Sequence, residues 1–86
     1  MTQRVEVHHR ISDRHPDVLP EDVEAAWKNA VSARVREFGP PDVVTAAGPD
    51  TKGRMLELVG IEMDDGSVLI YHAMRLTRKM AAEPGL

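Results

Sequence analysis

The chain of 86 residues contains no cysteine. That rules out disulfides, thiolate nucleophiles and zinc–thiolate sites, and it fits a reducing compartment. Aromatic residues are nearly as scarce, with one Trp, one Tyr and one Phe. A core must therefore be filled by Val, Leu, Ile, Met and Ala. No apolar run approaches the roughly 20 residues that span a bilayer. Residues 1–6 are polar and lack the apolar region of a signal peptide. The expectation is a cytoplasmic protein with no membrane partner. Internal repeats and low-complexity tracts are also missing.

With 42% hydrophobic residues, the chain can form one domain over residues 1–86, near the small end of what folds unaided. A core this small gains from burial against a second copy or another protein. The net charge is −3 and the pI about 5.7, which weighs against an obligate nucleic-acid binder. The charge is unevenly distributed, however. Asp17, Glu21, Asp22 and Glu24 form an acidic stretch, whereas Arg75, Arg78 and Lys79 are cations without an intervening acid. Arg4, Arg10 and Arg14, with His8, His9 and His15, make the opening stretch basic as well. If the two basic segments meet in space, an acidic protein carries one positive face.

Residues 4–11 alternate, with Val5, Val7 and Ile11 on one side, as in an edge strand. Residues 12–19 read as a connector. Pro20 suits the first position of a helix, and Glu21, Asp22 and Glu24 lie where negative charge opposes the helix dipole. Val23, Ala26, Trp27, Ala30, Val31, Val35 and Phe38 continue at helical spacing, so the pattern predicts a helix over 20–38 that Gly39-Pro40-Pro41 stops. Trp27 is expected to be largely buried on that face. A strand follows over 42–47, then a loop over 48–53. Two apolar runs, 54–63 and 67–74, flank Asp64-Asp65-Gly66, a strong hairpin signal. Both runs are apolar on both faces, as in central strands. A short helix over 75–82 would close the chain. The fold class expected is α+β, one long helix packed on a small antiparallel sheet in the order β-α-β-β-β-α.

Gly48-x4-Gly53 has the spacing of a phosphate loop but not its chemistry. Arg54-Met55 stands where Lys-Ser/Thr is needed, Pro49 removes an amide donor, and a strand follows instead of a helix. His8 and His9, adjacent on a strand, would point to opposite faces and chelate nothing together. No metal and no cofactor is expected. His72 is the more promising residue. Alternation places it on the side of Ile70 and Met74, just ahead of Arg75, Arg78 and Lys79. It is either an inert, hydrogen-bonded imidazole or a general acid/base. Arg75 and Lys79 are i and i+4 on the expected closing helix and share a face. Hairpin register brings Arg54 opposite residues 73–76. His72, Arg75, Arg54 and Lys79 would then converge on a phosphate, with Glu57 near enough to orient an Arg or take a proton. A plain cross-strand pair of Glu57 with Arg75 is the alternative.

Three stretches, residues 14–23 (Arg-His-Pro-Asp-Val-Leu-Pro-Glu-Asp-Val), 53–59 (Gly-Arg-Met-Leu-Glu-Leu-Val) and 70–77 (Ile-Tyr-His-Ala-Met-Arg-Leu-Thr), resemble the BrnT-type toxins of bacterial toxin–antitoxin systems, within the RelE-like ribonuclease group. The resemblance implies a RelE-like fold and metal-independent RNA cleavage, in which a 2′-hydroxyl attacks the adjacent phosphate. It implies RNA and a cognate antitoxin as partners. On that reading His72 or His15 does the acid/base work, and Arg54, Arg75 and Lys79 hold phosphate. The competing expectation is a non-catalytic association domain acting as a homo-oligomer or within a complex.

Overall fold

The computed structural model describes residues 3–35 and 42–78. Among them are β1 (Val5–Val7), α1 (Arg10–Arg14), α2 (Pro20–Lys28), β2 (Ser32–Val35), β3 (Val43–Pro49), β4 (Met55–Glu62) and β5 (Val68–Arg75). The strands form one sheet in the order β1-β5-β4-β3-β2. β1 runs parallel to β5 and the other pairings are antiparallel. The fold is α+β as expected, but the sheet is mixed. The helices carry the chain away after β1 and leave that strand free to lie parallel along β5, a crossover no hairpin can make.

The hairpin forms where the two apolar runs and their Gly turn predicted it. Gly66 adopts φ 86°, a conformation open to glycine without strain. The Asp65 carboxylate accepts the Ser67 N–H at 2.9 Å and the Ser67 hydroxyl at 2.6 Å, closing the turn. The two hairpin strands and β3 are the inner strands of the sheet, consistent with their two-sided apolar character.

The long helix does not form. α2 ends at Lys28, and the chain turns at Asn29, whose side-chain amide donates to the Ala25 carbonyl at 2.9 Å. The Val31 N–H then donates to the Ala47 carbonyl at 2.8 Å, and β2 begins. Val31 and Val35 fit an i, i+4 spacing, yet Val31, Ala33 and Val35 fit a period of two equally well. Pairing with β3 decides between them, because β-branched residues lose rotamer freedom in a helix. Both valines are exposed, at 62% and 58%, so neither belongs to a buried helix face. Phe38 and the 39–41 stop lie outside the described residues.

Two further expectations change. The first strand is only Val5–Val7, and the region taken as a connector holds α1. At the other end Arg75 is still part of β5, and residues 79–82 of the expected closing helix lie outside the described residues.

Both helices lie on one face of the sheet. Ile11, Val18, Val23 and Ala26 pack there against Val44, Ala46, Leu56, Leu58, Val68, Ile70 and Ala73. Trp27 is half-buried at the margin of this core, with its indole N–H donating to the Gln3 side-chain oxygen at 3.2 Å. A smaller cluster of Val43 and Val59, with Tyr71 and Leu76, occupies the other face.

The strands β4 and β5 are out of step at one point. Val59 pairs with His72 but Gly60 pairs with Ile70, so Tyr71 is an extra residue on β5. The bulge keeps Ile70 and Ala73 in the helix-side core and turns His72 to the side of Glu57. Uninterrupted alternation would have put His72 with Ile70.

The helix layer sits close to the sheet at Gly48, where a Cβ would lie 2.1 Å from the Ala26 carbonyl oxygen and 2.8 Å from the Ala30 Cα. Backbone cannot yield as a flexible side chain does, so Gly48→Ala should destabilise by about 3 kcal/mol or more. A lowered urea midpoint checks this; a wild-type midpoint would contradict the packing of α2 on β3.

Candidate functional site

β1 pairs only with Val68–Ile70, and the His8 N–H extends the contact by donating to the Ile70 carbonyl at 2.9 Å. From Tyr71 onward α1 takes the place of a strand along β5. Between them lies a cleft of about 160 Å³ lined by Arg10, Ile11, Arg14, His15, Tyr71, His72, Ala73 and Met74. Arg10 and Arg14 are one helical turn apart and exposed, so they share a face of α1. His15 follows as the C-cap residue and is half-buried. Ile11, buried in the core, anchors the helix in this position.

The cleft therefore gathers two imidazoles and two guanidinium groups. His15 and His72, between which the resemblance left the acid/base role open, line the same cavity. The opening basic stretch meets β5 at Tyr71–Met74 through α1, short of the second basic segment that begins at Arg75. Arg10 and Arg14 were visible in the sequence only as members of a basic stretch. Their spacing of four was the available signal, but no helix was expected there.

His72 is backed by Glu57. Its Nε2 lies 2.8 Å from Glu57 Oε2, while Glu57 Oε1 accepts the Thr77 N–H at 2.8 Å and the Thr77 hydroxyl at 2.7 Å. Glu57 is only 4% exposed. Burial by itself raises its pKa, but the bonds from Thr77 and His72 outweigh that and hold it below the usual carboxylate range. The sequence had Glu57 orienting an Arg or taking a proton, or pairing with Arg75. Instead its side-chain partners are His72 and Thr77, because the register sets Glu57 against Met74 and Leu56 against Arg75.

Of the other expected site residues, Arg54 does not join the cleft. Its Nε donates to Asp50 at 2.6 Å, and its terminal nitrogens donate to Asp17 Oδ2 at 3.1 Å, the Asp17 carbonyl at 3.0 Å and Asp22 at 3.4 Å. A guanidinium occupied by three carboxylates is a structural tie. Arg75 is exposed at the end of β5 and does not line the cleft. Lys79 lies outside the described residues.

The tie that absorbs Arg54 centres on Asp22, fully buried at the start of α2. Asp22 accepts the Leu19 N–H at 3.0 Å, the reciprocal half of a capping box. It also accepts from the Thr51 hydroxyl and from Lys52 Nζ at 3.1 Å. The 50–54 loop is thus fastened to the helix N-terminus. Asp50 Oδ1 accepts the N–H groups of Lys52 and Arg54, each at 2.8 Å, and Gly53 takes φ 79°. The loop with phosphate-loop spacing is shaped by its own aspartate.

His8 and His9 leave the strand before they can diverge, and their rings stack at 4.5 Å between centroids. Among the described residues, no three His, Asp or Glu side chains are grouped to hold a metal. No helix among them is long and apolar enough to cross a membrane. No family model, curated protein or solved structure matches the chain.

Burial on its own raises the Asp22 pKa, and the bonds from Thr51, Leu19 and Lys52 more than reverse it, lowering it to about 2. A carboxylate depressed in the folded state stabilises fully above its unfolded value near 4 and loses that contribution as pH falls toward 2. Asp22→Asn should therefore cost about 2–3 kcal/mol at neutral pH, with the gap to wild type closing below pH ~4. Urea melts at pH 7, 4 and 3 test this. A gap that is constant with pH would show that Asp22 carries no ionised role.

Proposed function

We propose that the cleft between α1 and β5 cleaves RNA without a metal ion, as a toxin-type endoribonuclease held silent by a cognate antitoxin. The observation that carries this reading is the pairing of His15 and His72 on one small cavity flanked by Arg10 and Arg14. Two imidazoles supply a proton acceptor and a proton donor. Two guanidinium groups supply charge for an anionic substrate. The similarity of residues 14–23, 53–59 and 70–77 to BrnT-like toxins points the same way, and a RelE-like fold is part of this proposal.

The chemistry follows from the groups available. One histidine removes the proton of a ribose 2′-hydroxyl, and the 2′-oxygen forms a bond to the adjacent phosphorus. The bond from phosphorus to the 5′-oxygen breaks, and the second histidine protonates that oxygen. The products are a 2′,3′-cyclic phosphate and a free 5′-hydroxyl. Arg10 and Arg14 stabilise the negative charge that builds on the phosphoryl oxygens. Arg75 and Lys79 would hold flanking phosphates, while Arg54 keeps the structural place described above. The reading implies a cytoplasmic protein that works where RNA is.

A second reading has a separate basis. β2 is an edge strand on which Ala33, Arg34 and Val35 are all exposed, next to the exposed Val31. Such an edge is a template for another strand, and supports a non-catalytic association domain or a homo-oligomer.

Purified full-length protein should cut single-stranded RNA in EDTA, leave a 2′,3′-cyclic phosphate, and spare an oligonucleotide with 2′-deoxyribose at the cut. His72→Ala and His15→Ala should each slow cutting by roughly 10²-fold or more. Arg10→Ala and Arg14→Ala should weaken binding and flatten its salt dependence. Intact RNA in both EDTA and magnesium would overturn the ribonuclease reading in favour of association.

A further inference from the structure

Glu57 is an unusual residue to find inside this sheet. It lies on β4 between Leu56 and Leu58, both fully buried, and it is among the few charged groups removed from water. An unpartnered buried carboxylate is costly, and this one has partners at both oxygens. Thr77 donates twice to Oε1 and His72 meets Oε2. Among the described residues no Arg or Lys lies within ion-pair distance of it, unlike Asp22 and Asp50. The acid that serves structure in this protein is met by cations. The acid behind the cleft is met by a histidine that lines it.

We infer that Glu57 is a positioning residue for His72: by accepting the Nε2 proton it fixes one tautomer and leaves Nδ1 as the basic atom at the cleft. The inference rests on the acid/base reading of that cleft. A carboxylate only accepts hydrogen bonds, so Nε2 must carry hydrogen whenever Glu57 is ionised. A neutral imidazole has a single ring proton, so Nδ1 then carries a lone pair. Among the described residues Nδ1 has no hydrogen-bond partner. His72 is thereby the acceptor of the 2′-hydroxyl proton, taken at Nδ1, and His15 is the donor to the 5′-oxygen. The charged and titratable groups around His72 are Glu57 from β4, Arg10, Arg14 and His15 from the α1 segment, and Tyr71 from its own strand.

The geometry supplies a substitution that keeps shape and reverses the tautomer. In Glu57→Gln the Thr77 backbone N–H remains an obligate donor, so the amide oxygen must stay at the Oε1 position. The amide NH₂ then points at His72 and needs a lone pair on Nε2. The imidazole proton is forced to Nδ1, which can no longer accept.

The test is the ring ¹⁵N spectrum of His72 in the full chain, at a pH where its imidazole is neutral, alongside RNA cutting by the same samples. Wild type should show the Nε2–H form and Glu57→Gln the Nδ1–H form. Cutting by the variant should fall by roughly 10²–10⁴-fold through kcat, with KM little changed. A merely structural Glu57 would leave the tautomer alone. Three results overturn the inference: an Nδ1–H tautomer in wild type, an unchanged Nε2–H tautomer in the variant, or a reversed tautomer in the variant with undiminished cutting. The wild-type spectrum decides by itself if the variant does not fold. If wild type cuts no RNA, the ribonuclease reading and this inference's catalytic half fall, while the spectrum still decides whether Glu57 orients His72.

Discussion

Leu58 and Ala73 must face the helices together, and so must Gly60 and Ile70 on the same two strands. β5 meets both demands only by carrying one extra residue, Tyr71, between the pairings. Strand parity admits no gradual adjustment, since a slip of one residue exchanges the faces completely. The bulge resolves the conflict and sends His72 to the side of Glu57. Gly60 opposite the bulge fits this crowding, for a Cβ there would lie 2.8 Å from the Ile70 side chain and from the Leu69 carbonyl. The meeting of His72 with Glu57 depends on that single insertion.

Asp22 and Glu57 show how one kind of group serves two ends. Each is buried, and each has a depressed pKa because hydrogen bonds outweigh burial. Asp22 draws its bonds from a helix N-terminus, a hydroxyl and the cations Lys52 and Arg54. The result is a fixed joint between α2 and the 50–54 loop. Lys52 is half-exposed and adds little on its own. The value of the joint lies in leaving no buried donor or acceptor unpaired. Glu57 draws its bonds from Thr77 and an imidazole. A histidine can exchange a proton at its other nitrogen, whereas an Arg–Asp joint has nothing to exchange.

The position of α1 gives the cleft its charge. β1 is only three residues long, and a longer strand would have covered the edge of β5 that α1 borders. Ile11 holds the helix to the core while Arg10 and Arg14 remain in solvent. An acidic protein thus has a local concentration of positive charge beside two histidines. Local field, more than net charge, governs what such a cavity attracts.

The hairpin, its Gly66 turn and the start of α2 were legible in the sequence, because each depends on neighbours a few residues away. Apolar runs, a turn glycine and Pro20 followed by acids are local signals, and local energetics decided them. His15 and His72 could also be picked out, since imidazole is chemically distinctive wherever it stands. What tertiary structure alone decided was which partner each group met. Val31 and Val35 satisfied two periods at once, and hydrogen bonding to β3 chose the strand. Arg54 precedes β4, whose register sets Val59, not its start, beside His72, and three carboxylates from separate segments, Asp17, Asp22 and Asp50, hold its guanidinium. The parallel placement of β1 along β5 and the extra residue at Tyr71 leave no local trace, because both arise from fitting two strands against one helix layer. Sequence patterns report the preferences of a segment; which of several compatible partners it keeps depends on which buried groups would otherwise go unpaired.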